Sequence, residues 1–298
     1  MKDILIVSMP GDLEPAKRLA AEMAIQLDEI HVRQFPDGES CVRAPEAAST
    51  TILYQSLDRP NEKLIELTLA ASALRDLGAE RLVLVAPYLC YMRQDIAFQK
   101  GEAVSQRVIG AMLAQWFDRV VTIDPHLHRT QSLSDVLPKT EATVLSATSL
   151  LAGLIHGDGA QDEIVIVGPD LEATHWTEAL ASAVGAPYTV LEKKRMGDRE
   201  VSISFSEDVK VSGKRVYLVD DVASTGNTLA TAARLLSRKG AARIEAVVSH
   251  ALFDKPDLQR MNAAGIVRIR STDSVKHATN AVAVAPLLGE ALRREGRP

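Results

Sequence analysis

The chain has 298 residues, of which 46% are hydrophobic and 24% are charged, and its formal net charge is −5. This length suits two compact domains of about 150 residues each, and the apolar content is enough to fill two cores, which excludes a disordered chain. The acidic balance and the absence of a long Lys/Arg run exclude the usual signature of nucleic-acid or anionic-membrane binding. Since no apolar stretch reaches transmembrane length, the sequence predicts a cytoplasmic protein with a small-molecule partner.

The two cysteines, Cys41 and Cys90, are far apart in the sequence and have no spacing typical of metal ligands. Cysteines of cytoplasmic proteins are normally kept as thiols. We therefore expect both to be reduced and structural, without a catalytic role.

Short aliphatic runs alternate with longer segments of helical periodicity along the chain. Strands are predicted at residues 4–8, 51–55, 81–86, 120–123, 163–167, 215–219 and 243–249. Helices are predicted at residues 13–26, 63–77, 105–116, 173–184, 228–238 and 285–294. This alternation predicts an α/β fold with two similar domains, each a mainly parallel sheet flanked by helices.

The division between the two domains is predicted near residues 142–148, where the alternation starts again after a Pro-Lys turn. This places the domains at residues 1–145 and 146–298. Two polar stretches, residues 88–102 and 192–200, are long for simple connections, and long polar loops in compact domains often bind ligands. Both are candidate binding loops.

The sharpest local signal is VYLVDDVASTGNT at residues 216–228, where a buried strand leads into two carboxylates, small hydroxylic residues and a helix. The N-terminus of a helix presents unpaired N–H groups and a positive dipole end, and Gly226 lets the main chain approach a phosphate. Two adjacent carboxylates, Asp220 and Asp221, can accept hydrogen bonds from vicinal hydroxyls. The segment therefore predicts a ribose 5-phosphate site. Its phosphate contacts are expected from Ser224, Thr225, Gly226, Asn227 and Thr228.

A simpler interpretation is that Ser224 or Thr225 only caps a helix and that the aspartates lie in a solvated turn. However, adjacent carboxylates repel each other, and a turn by itself does not require them. The complete segment therefore favours the ligand site.

Residues 216–228 resemble the phosphoribosyl diphosphate binding motif that phosphoribosyltransferases share with ribose-phosphate diphosphokinases. The motif does not separate these families, but other segments resemble the diphosphokinases over nearly the whole chain, which implies a phosphoribosyltransferase-like fold. The chain departs from the common pattern at Ser224, where many members have an acidic residue, and at Asn227, where glycine is common. It is also shorter than the allosterically regulated branch, so a separate inhibitory ADP site is not implied.

The segment RQFPDGE at residues 33–39 resembles the nucleotide loop of the diphosphokinases. The resemblance implies that the ring of Phe35 stacks on adenine and that Asp37 and Glu39 bind ATP. Taken alone, the Asp-Gly pair would be a tight hairpin turn and Phe35 a core residue.

The segment PYLCYMRQD at residues 87–95, followed by a Gly-Glu pair, resembles the ATP-binding stretch of the same family. The resemblance implies that Arg93, Gln94 and Asp95 bind ATP, and a guanidinium suits a bidentate contact with phosphate oxygens. Without the resemblance, the segment would be interpreted as a surface loop with a weak ion pair between Arg93 and Asp95.

Two further segments resemble magnesium-binding elements of the family. In TIDPHLH at residues 122–128, the spacing favours His126 over His128 as the ligand, although magnesium prefers oxygen and a lone histidine is as often structural. In VGPD at residues 167–170, Asp170 is implied to hold the metal or ribose hydroxyls. The alternative for Asp170 is a helix cap, and the two roles are compatible.

The charged segment LEKKRMGD at residues 191–198 resembles the mobile catalytic loop of the family, which implies catalytic roles for Lys193 and Arg195. Phosphoryl-type transfer is catalysed mainly by positioning and by neutralising charge, so two cations on a closing loop suit this chemistry. As a bare charge run, the segment would be a solvated turn.

The resemblance implies transfer of the diphosphoryl group of Mg-ATP to the anomeric hydroxyl of ribose 5-phosphate, which gives 5-phosphoribosyl 1-diphosphate and AMP. Mg2+ is the expected cofactor, ATP and ribose 5-phosphate are the expected partners, and a homo-oligomer, dimer or larger, is expected. One alternative is a phosphoribosyltransferase, which would bind a base or amine in place of ATP. The other is a non-catalytic regulatory member of the family. The presence of both cations and both aspartates argues against the latter.

Overall fold

The computed structural model describes residues 3–127, 129–159, 163–195, 201–205 and 209–295, leaving aside the side chains of 193–195 and 201–205. The chain divides into two compact units. Unit 1 comprises Met1–Leu145 and Ala283–Pro298, and unit 2 comprises Ser146–Val282. The predicted second domain, 146–298, therefore extends too far, because the chain returns to unit 1 at Ala283.

The strands and helices alternate along the chain. The strands are β1 (Ile4–Ser8), β2 (Leu27–Glu29), β3 (His31–Gln34), β4 (Ser40–Arg43), β5 (Thr50–Tyr54), β6 (Arg81–Val85), β7 (Arg119–Ile123), β8 (Glu141–Leu145), β9 (Ile164–Gly168), β10 (Tyr188–Arg195), β11 (Val201–Phe205), β12 (Arg215–Ala223), β13 (Arg243–Ala251), β14 (Ile266–Thr272) and β15 (Asn280–Val282). The helices are α1 (Leu13–Met23), α2 (Pro60–Asp76), α3 (Ser105–Ala114), α4 (Thr148–His156), α5 (Thr174–Val184), α6 (Asn227–Arg238), α7 (Lys255–Ala263) and α8 (Ala285–Leu292).

Unit 1 is built on a parallel sheet with the strand order β2-β1-β5-β6-β7-β8. Strands β5 and β7 are buried along their whole length, as expected for strands covered by helices on both faces. Strands β3 and β4 form a separate antiparallel hairpin. The carboxyl ends of the sheet strands lead into the candidate loops of this unit.

The C-terminal segment is attached to unit 1 by a buried carboxylate. Glu295, whose side chain is 4% exposed, accepts hydrogen bonds from Arg81 Nε at 2.7 Å and from Arg119 Nη1 at 2.6 Å. Burial raises the pKa of Glu295, but the bonds from the two arginines outweigh it and hold that pKa below its ordinary value. Glu295 therefore joins the segment after α8 to the first residues of β6 and β7.

Unit 2 is built on a sheet with the strand order β11-β10-β9-β12-β13-β14-β15, parallel except for the antiparallel pair β10-β11. Strand β12 lies between β9 and β13, and residues 215–219 are buried on both faces. The predicted α/β class, with a mainly parallel sheet in each of two units, is confirmed. In the described part of the chain, no helix combines the length and apolar character needed to span a membrane.

The structure changes the prediction at two functional segments. Strand β12 continues past the predicted end at residue 219 to Ala223. The first part of the predicted loop at 192–200 belongs to strand β10, which ends at Arg195. Both differences arise because polar residues continue a strand beyond its aliphatic run, where a sequence pattern no longer indicates a strand.

Candidate active site

The aspartate pair lies inside β12, not in a turn after it. Asp220 pairs with Val248 of β13, and β12 continues through Asp221 to Ala223. The solvated-turn interpretation is therefore wrong. Although consecutive side chains of a strand start towards opposite faces of the sheet, the two carboxyl groups are close enough to interact directly.

Burial and mutual repulsion determine the electrostatics of the pair. Asp221 is 2% exposed and Asp220 is half-buried. The Asp221 N–H donates to Asp220 Oδ1 at 3.0 Å, and the Val222 N–H donates to Asp221 Oδ1 at 2.7 Å. Burial, followed by the charges of Asp221 and Asp170, raises the pKa of Asp220 well above its ordinary value. Hydroxyl donors or a cation placed here would relieve this crowding.

Asp170 follows β9, the strand next to β12 in the sheet. Its carboxylate caps the short 3-10 turn Leu171–Ala173 by accepting the Glu172 N–H at 3.1 Å. Asp170 is therefore a capping residue, but of this 3-10 turn and not of the following helix α5, whose N-cap residue is Ala173. Since Asp170 also raises the pKa of Asp220, the structure brings Asp170, Asp220 and Asp221 together at the carboxyl ends of β9 and β12.

The predicted phosphate loop is shorter than the pentapeptide 224–228, because α6 begins at Asn227. Gly226 is the N-cap residue, with φ of +67°. Because glycine has no side chain, this N-cap residue makes no side-chain capping hydrogen bond. Asn227 N–H and Thr225 Oγ1 are 3.5 Å apart, which is at the limit of a hydrogen bond. Ser224 and Thr228 are half-buried at the two ends of the segment. The first turn of α6 thus presents N–H groups suited to an anion.

Helix α7 supports this loop. A Cβ added at Gly226 would lie 2.2 Å from the Sδ of Met261, so a glycine is required by space as well as by φ. Arg260 Nη2 donates to the carbonyl oxygen of Thr225 at 2.7 Å. No motif indicates Arg260, because 35 residues separate it from its partner Thr225.

In unit 1, the segment 33–39 forms the turn of the β3-β4 hairpin. The ring of Phe35 is 39% exposed, with the guanidinium of Arg33 4.4 Å from its centroid. The Glu39 N–H bonds to Asp37 Oδ1 at 3.2 Å, which closes the turn. The core alternative for Phe35 is therefore wrong, while the hairpin turn is present and presents an aromatic ring on the surface.

The loop at 88–102 holds the other predicted ATP contacts. Arg93 is exposed, and its side chain has no hydrogen bond or ion pair with the described residues. Gln94 Oε1 accepts a hydrogen bond from Ser105 Oγ at 2.7 Å. The Asp95 carboxylate accepts two hydrogen bonds from Arg129, one from its backbone N–H at 3.1 Å and one from its Nη1 at 3.0 Å.

The interpretation of Arg93 and Asp95 as an ion pair is wrong, because Asp95 pairs with Arg129. Burial raises the pKa of Asp95, but the hydrogen bonds from Arg129 lower it by a larger amount. The pKa of Asp95 therefore lies below its ordinary value. Asp95 is thus a charged group that anchors the loop. A direct contact of Asp95 with ATP stays a prediction and would have to share its oxygens with Arg129.

His126 is half-buried and follows Asp124, which has φ of +37°, an uncommon conformation for a residue with a side chain. His128 lies outside the described residues. His126 belongs to unit 1 and Asp170 to unit 2. Among the described residues, no group of three or more His, Cys, Asp or Glu side chains has an arrangement that would hold a metal ion.

Lys193 and Arg195 lie in β10, where their backbones pair with Ile203 and Val201 of β11. Their side chains are outside the described set, as are residues 196–200. The catalytic role of Lys193 and Arg195 stays a prediction.

Two family models match this chain. The N-terminal domain of ribose phosphate pyrophosphokinase matches residues 4–116, and the phosphoribosyl transferase domain matches residues 138–286. A ribose-phosphate pyrophosphokinase of Methanopyrus kandleri is 33% identical over 97% of this chain and 98% of its own length. The chain belongs to the ribose-phosphate pyrophosphokinase family. A ribose-phosphate pyrophosphokinase 2 of Archaeoglobus fulgidus is 32% identical over 96% of this chain and 98% of its own length.

The fold agrees with this family. The crystal structure of phosphoribosylpyrophosphate synthetase from Mycobacterium smegmatis superimposes with a TM-score of 0.85 at 26% identity, covering 98% of each chain. The resemblance to this family and the expectation of an enzyme are confirmed. The pyrophosphokinase family is favoured over the phosphoribosyltransferase alternative because its N-terminal domain model matches residues 4–116.

Proposed function

We propose that this protein transfers the diphosphoryl group of Mg-ATP to the anomeric hydroxyl of ribose 5-phosphate, giving 5-phosphoribosyl 1-diphosphate and AMP. The observation that carries the proposal is the crowded pair Asp220 and Asp221 in β12, immediately before a helix N-terminus that begins at a positive-φ glycine. Carboxylates that accept hydrogen bonds from hydroxyls, next to N–H groups that donate to a phosphate, suit a sugar phosphate. Relatives that match nearly the whole chain are named ribose-phosphate pyrophosphokinases, and these names support the same reaction.

In this proposal, unit 2 holds the sugar. The Asp220 and Asp221 carboxylates accept hydrogen bonds from ribose hydroxyls, which offsets part of their mutual repulsion. The loop before α6 and the first turn of the helix donate N–H groups to the 5-phosphate, with added hydroxyl or amide donors. These donors are Ser224, Thr225, Asn227 and Thr228, with the backbone of Gly226 between them.

Unit 1 binds ATP in this proposal. The exposed ring of Phe35 offers a stacking surface for adenine, and Asp37 and Glu39 lie in the same turn. Arg93 is exposed and can bind phosphate oxygens through its planar guanidinium. Gln94 and Asp95 complete the predicted set, although both already bond to neighbouring residues.

The residues present fit a magnesium ion that is held largely by the substrate. Magnesium prefers oxygen ligands, keeps several waters and is commonly bound through one or two carboxylates together with phosphates. Burial, followed by the charges of Asp221 and Asp170, raises the pKa of Asp220, and a cation placed here would oppose that shift. Asp170 would be one protein ligand of the ion, which would neutralise charge on the phosphates, and a metal role for His126, which belongs to unit 1, stays a prediction.

Lys193 and Arg195 are proposed to stabilise the negative charge that develops on the bridging oxygen as the diphosphoryl group is transferred. Such fixed cations act mainly in the transition state, so they raise kcat more than they improve substrate binding. No covalent intermediate is needed. The anomeric hydroxyl attacks the β-phosphorus and gives up its proton to water, the bond from the β-phosphorus to the α,β-bridging oxygen breaks, and AMP departs with the electrons of that bond.

We further propose that the enzyme acts in the cytoplasm as a homo-oligomer, dimer or larger. The family resemblance over nearly the whole chain supports this proposal. Light scattering of the purified protein would test it, because a mass equal to one 32.3 kDa chain at working concentration would refute the oligomer.

AMP release with Mg-ATP, measured with and without ribose 5-phosphate, tests the reaction, with the product identified by phosphorus NMR. We expect AMP that depends on the sugar and a phosphoribosyl diphosphate signal. If folded protein releases no AMP in either case, the proposal fails. Titration with phosphoribosyl diphosphate and with ATP would then separate a transferase from a non-catalytic member.

A further inference from the structure

The loop between β12 and α6 rests on α7. Gly226 lies against Met261, which is completely buried, and the next residue towards the N-terminus of α7 is Arg260. Helix α7 begins with a capping box between Asp254 and Asp257, which fixes its first turn. The loop therefore has a rigid support on this side.

The guanidinium of Arg260 has two bonding partners among the described residues. Nη2 donates to the Thr225 carbonyl oxygen at 2.7 Å and also contacts Asp257 one turn earlier in α7. Its Nε is buried and has no partner within the described chain. The orientation of this side chain is thus set by the loop carbonyl and by Asp257.

The bond from Arg260 also determines where the next N–H points. The carbonyl of Thr225 and the N–H of Gly226 belong to one planar trans peptide, so they point in opposite directions. With the carbonyl held towards α7, the Gly226 N–H is turned to the other side of the loop. There it adds to the donors of the α6 N-terminus, and neighbouring N–H groups of this kind form anion sites.

We propose that Arg260 is a positioning residue for the 5-phosphate of ribose 5-phosphate: it fixes the peptide between Thr225 and Gly226 so that the Gly226 N–H donates to the phosphate. This inference rests on the proposed function. Arg260 does not touch the phosphate in this mechanism. It acts through the main chain, and its positive charge adds to the attraction for the anion.

A purely structural role for Arg260 gives a different expectation. If it only stabilised α7 through Asp257, its removal would lower stability and active enzyme concentration without discriminating between the two substrates. The positioning role predicts a selective loss of affinity for the sugar phosphate. The KM values of the two substrates therefore separate the roles.

The test compares Arg260→Met, Arg260→Lys and the matched control Arg234→Met. Arg234 is an exposed arginine of α6 with no side-chain bond to the described residues. For Arg260→Met we expect the KM for ribose 5-phosphate to rise about 10-fold, as for loss of one charged hydrogen bond. The KM of Arg260→Met for ATP should stay within about 2-fold of the wild-type value. Arg260→Lys, which keeps the positive charge and can still donate a hydrogen bond, should recover part of the affinity for ribose 5-phosphate.

Calorimetric titration of each variant with ribose 5-phosphate alone keeps this result separate from the proposed reaction. A wild type that binds the sugar phosphate but makes no product would refute the reaction, while the affinities still decide the role of Arg260. If the wild type does not bind ribose 5-phosphate, both proposals fail. Equal affinities in wild type, Arg260→Met and Arg260→Lys, or a parallel rise in both KM values, would overturn the positioning role. If Arg260→Met does not fold, Arg260→Lys decides alone.

Discussion

Replacing Gly226 by alanine should damage the proposed phosphate loop for two separable reasons. The residue has φ of +67°, where a side chain costs about 1 kcal/mol. The new Cβ would also lie 2.2 Å from Met261 Sδ and 2.8 Å from its Cε, and overpacking of this kind costs about 1–3 kcal/mol. We therefore expect unit 2 to lose roughly 2–4 kcal/mol of unfolding free energy.

A double-mutant cycle with Met261→Ala isolates the clash. Met261→Ala alone should cost about 2–5 kcal/mol, because the side chain is fully buried. In the double variant the clash is gone and only the backbone cost at Gly226 is added to the cost of Met261→Ala. The loss of unfolding free energy in the double variant should therefore be about 1–3 kcal/mol smaller than the sum of the two single losses. Urea denaturation in a Trp116→Phe background measures this, since Trp176 of unit 2 is then the remaining tryptophan. Additive costs, or a loss below about 0.5 kcal/mol for Gly226→Ala, would refute the reasoning.

Four further outcomes are expected. Asp220→Asn should abolish sugar binding yet raise stability at pH 8: the folded pKa of Asp220 is raised, so its ionisation costs stability above the ordinary aspartate pKa of about 4, and the gain should vanish as the pH falls to that value. Glu295→Gln should do the reverse in unit 1, because a lowered folded pKa contributes stability that is present at pH 7 and lost below about pH 4; urea denaturation at both pH values in a Trp176→Phe background would expose an error if the deficit were independent of pH. Phe35→Ala should raise the KM for ATP about 10-fold with little change in stability, whereas Phe35→Trp should keep the affinity; an unchanged KM in Phe35→Ala removes the ring from the site. Lys193→Ala should lower kcat roughly 100- to 1,000-fold in steady-state assays, and near-full turnover would contradict its catalytic role.

The sequence predicted β1, β5, β6, β7, β9, β12 and β13 because each contains a largely buried aliphatic run, but it missed the interior strands β10 and β14 and the helices α4 and α7. Strand β1 and the start of α1 lie where the pattern placed them. The short edge strands β2, β8 and β15 lack such runs, and their pairing depends on neighbours distant in sequence. The aspartates of β12 were placed after the strand because carboxylates are uncommon in strands, and only the ladder with β13 reveals that the strand continues.

The candidate residues were found from short segments, and the structure adds the contacts that such segments cannot contain. Spacing alone pairs Asp95 with nearby Arg93, but the Asp95 carboxylate bonds to Arg129, 34 residues away. Arg260 acts on Thr225 from a different helix, with no spacing or motif to indicate it. Local patterns indicate which chemistry a segment can perform, whereas the partner of a charged side chain is decided by tertiary packing.

The return of the chain to unit 1 at Ala283 makes unit 2 an insertion within unit 1. Unit 2 is continuous from Ser146 to Val282, so a gene fragment can encode all of it, whereas residues 1–145 lack the helix and the buried Glu295 that complete unit 1. During synthesis, unit 1 cannot finish folding until the ribosome has passed the whole of unit 2. The last helix of unit 1 is therefore made only after the whole of unit 2 has been synthesised.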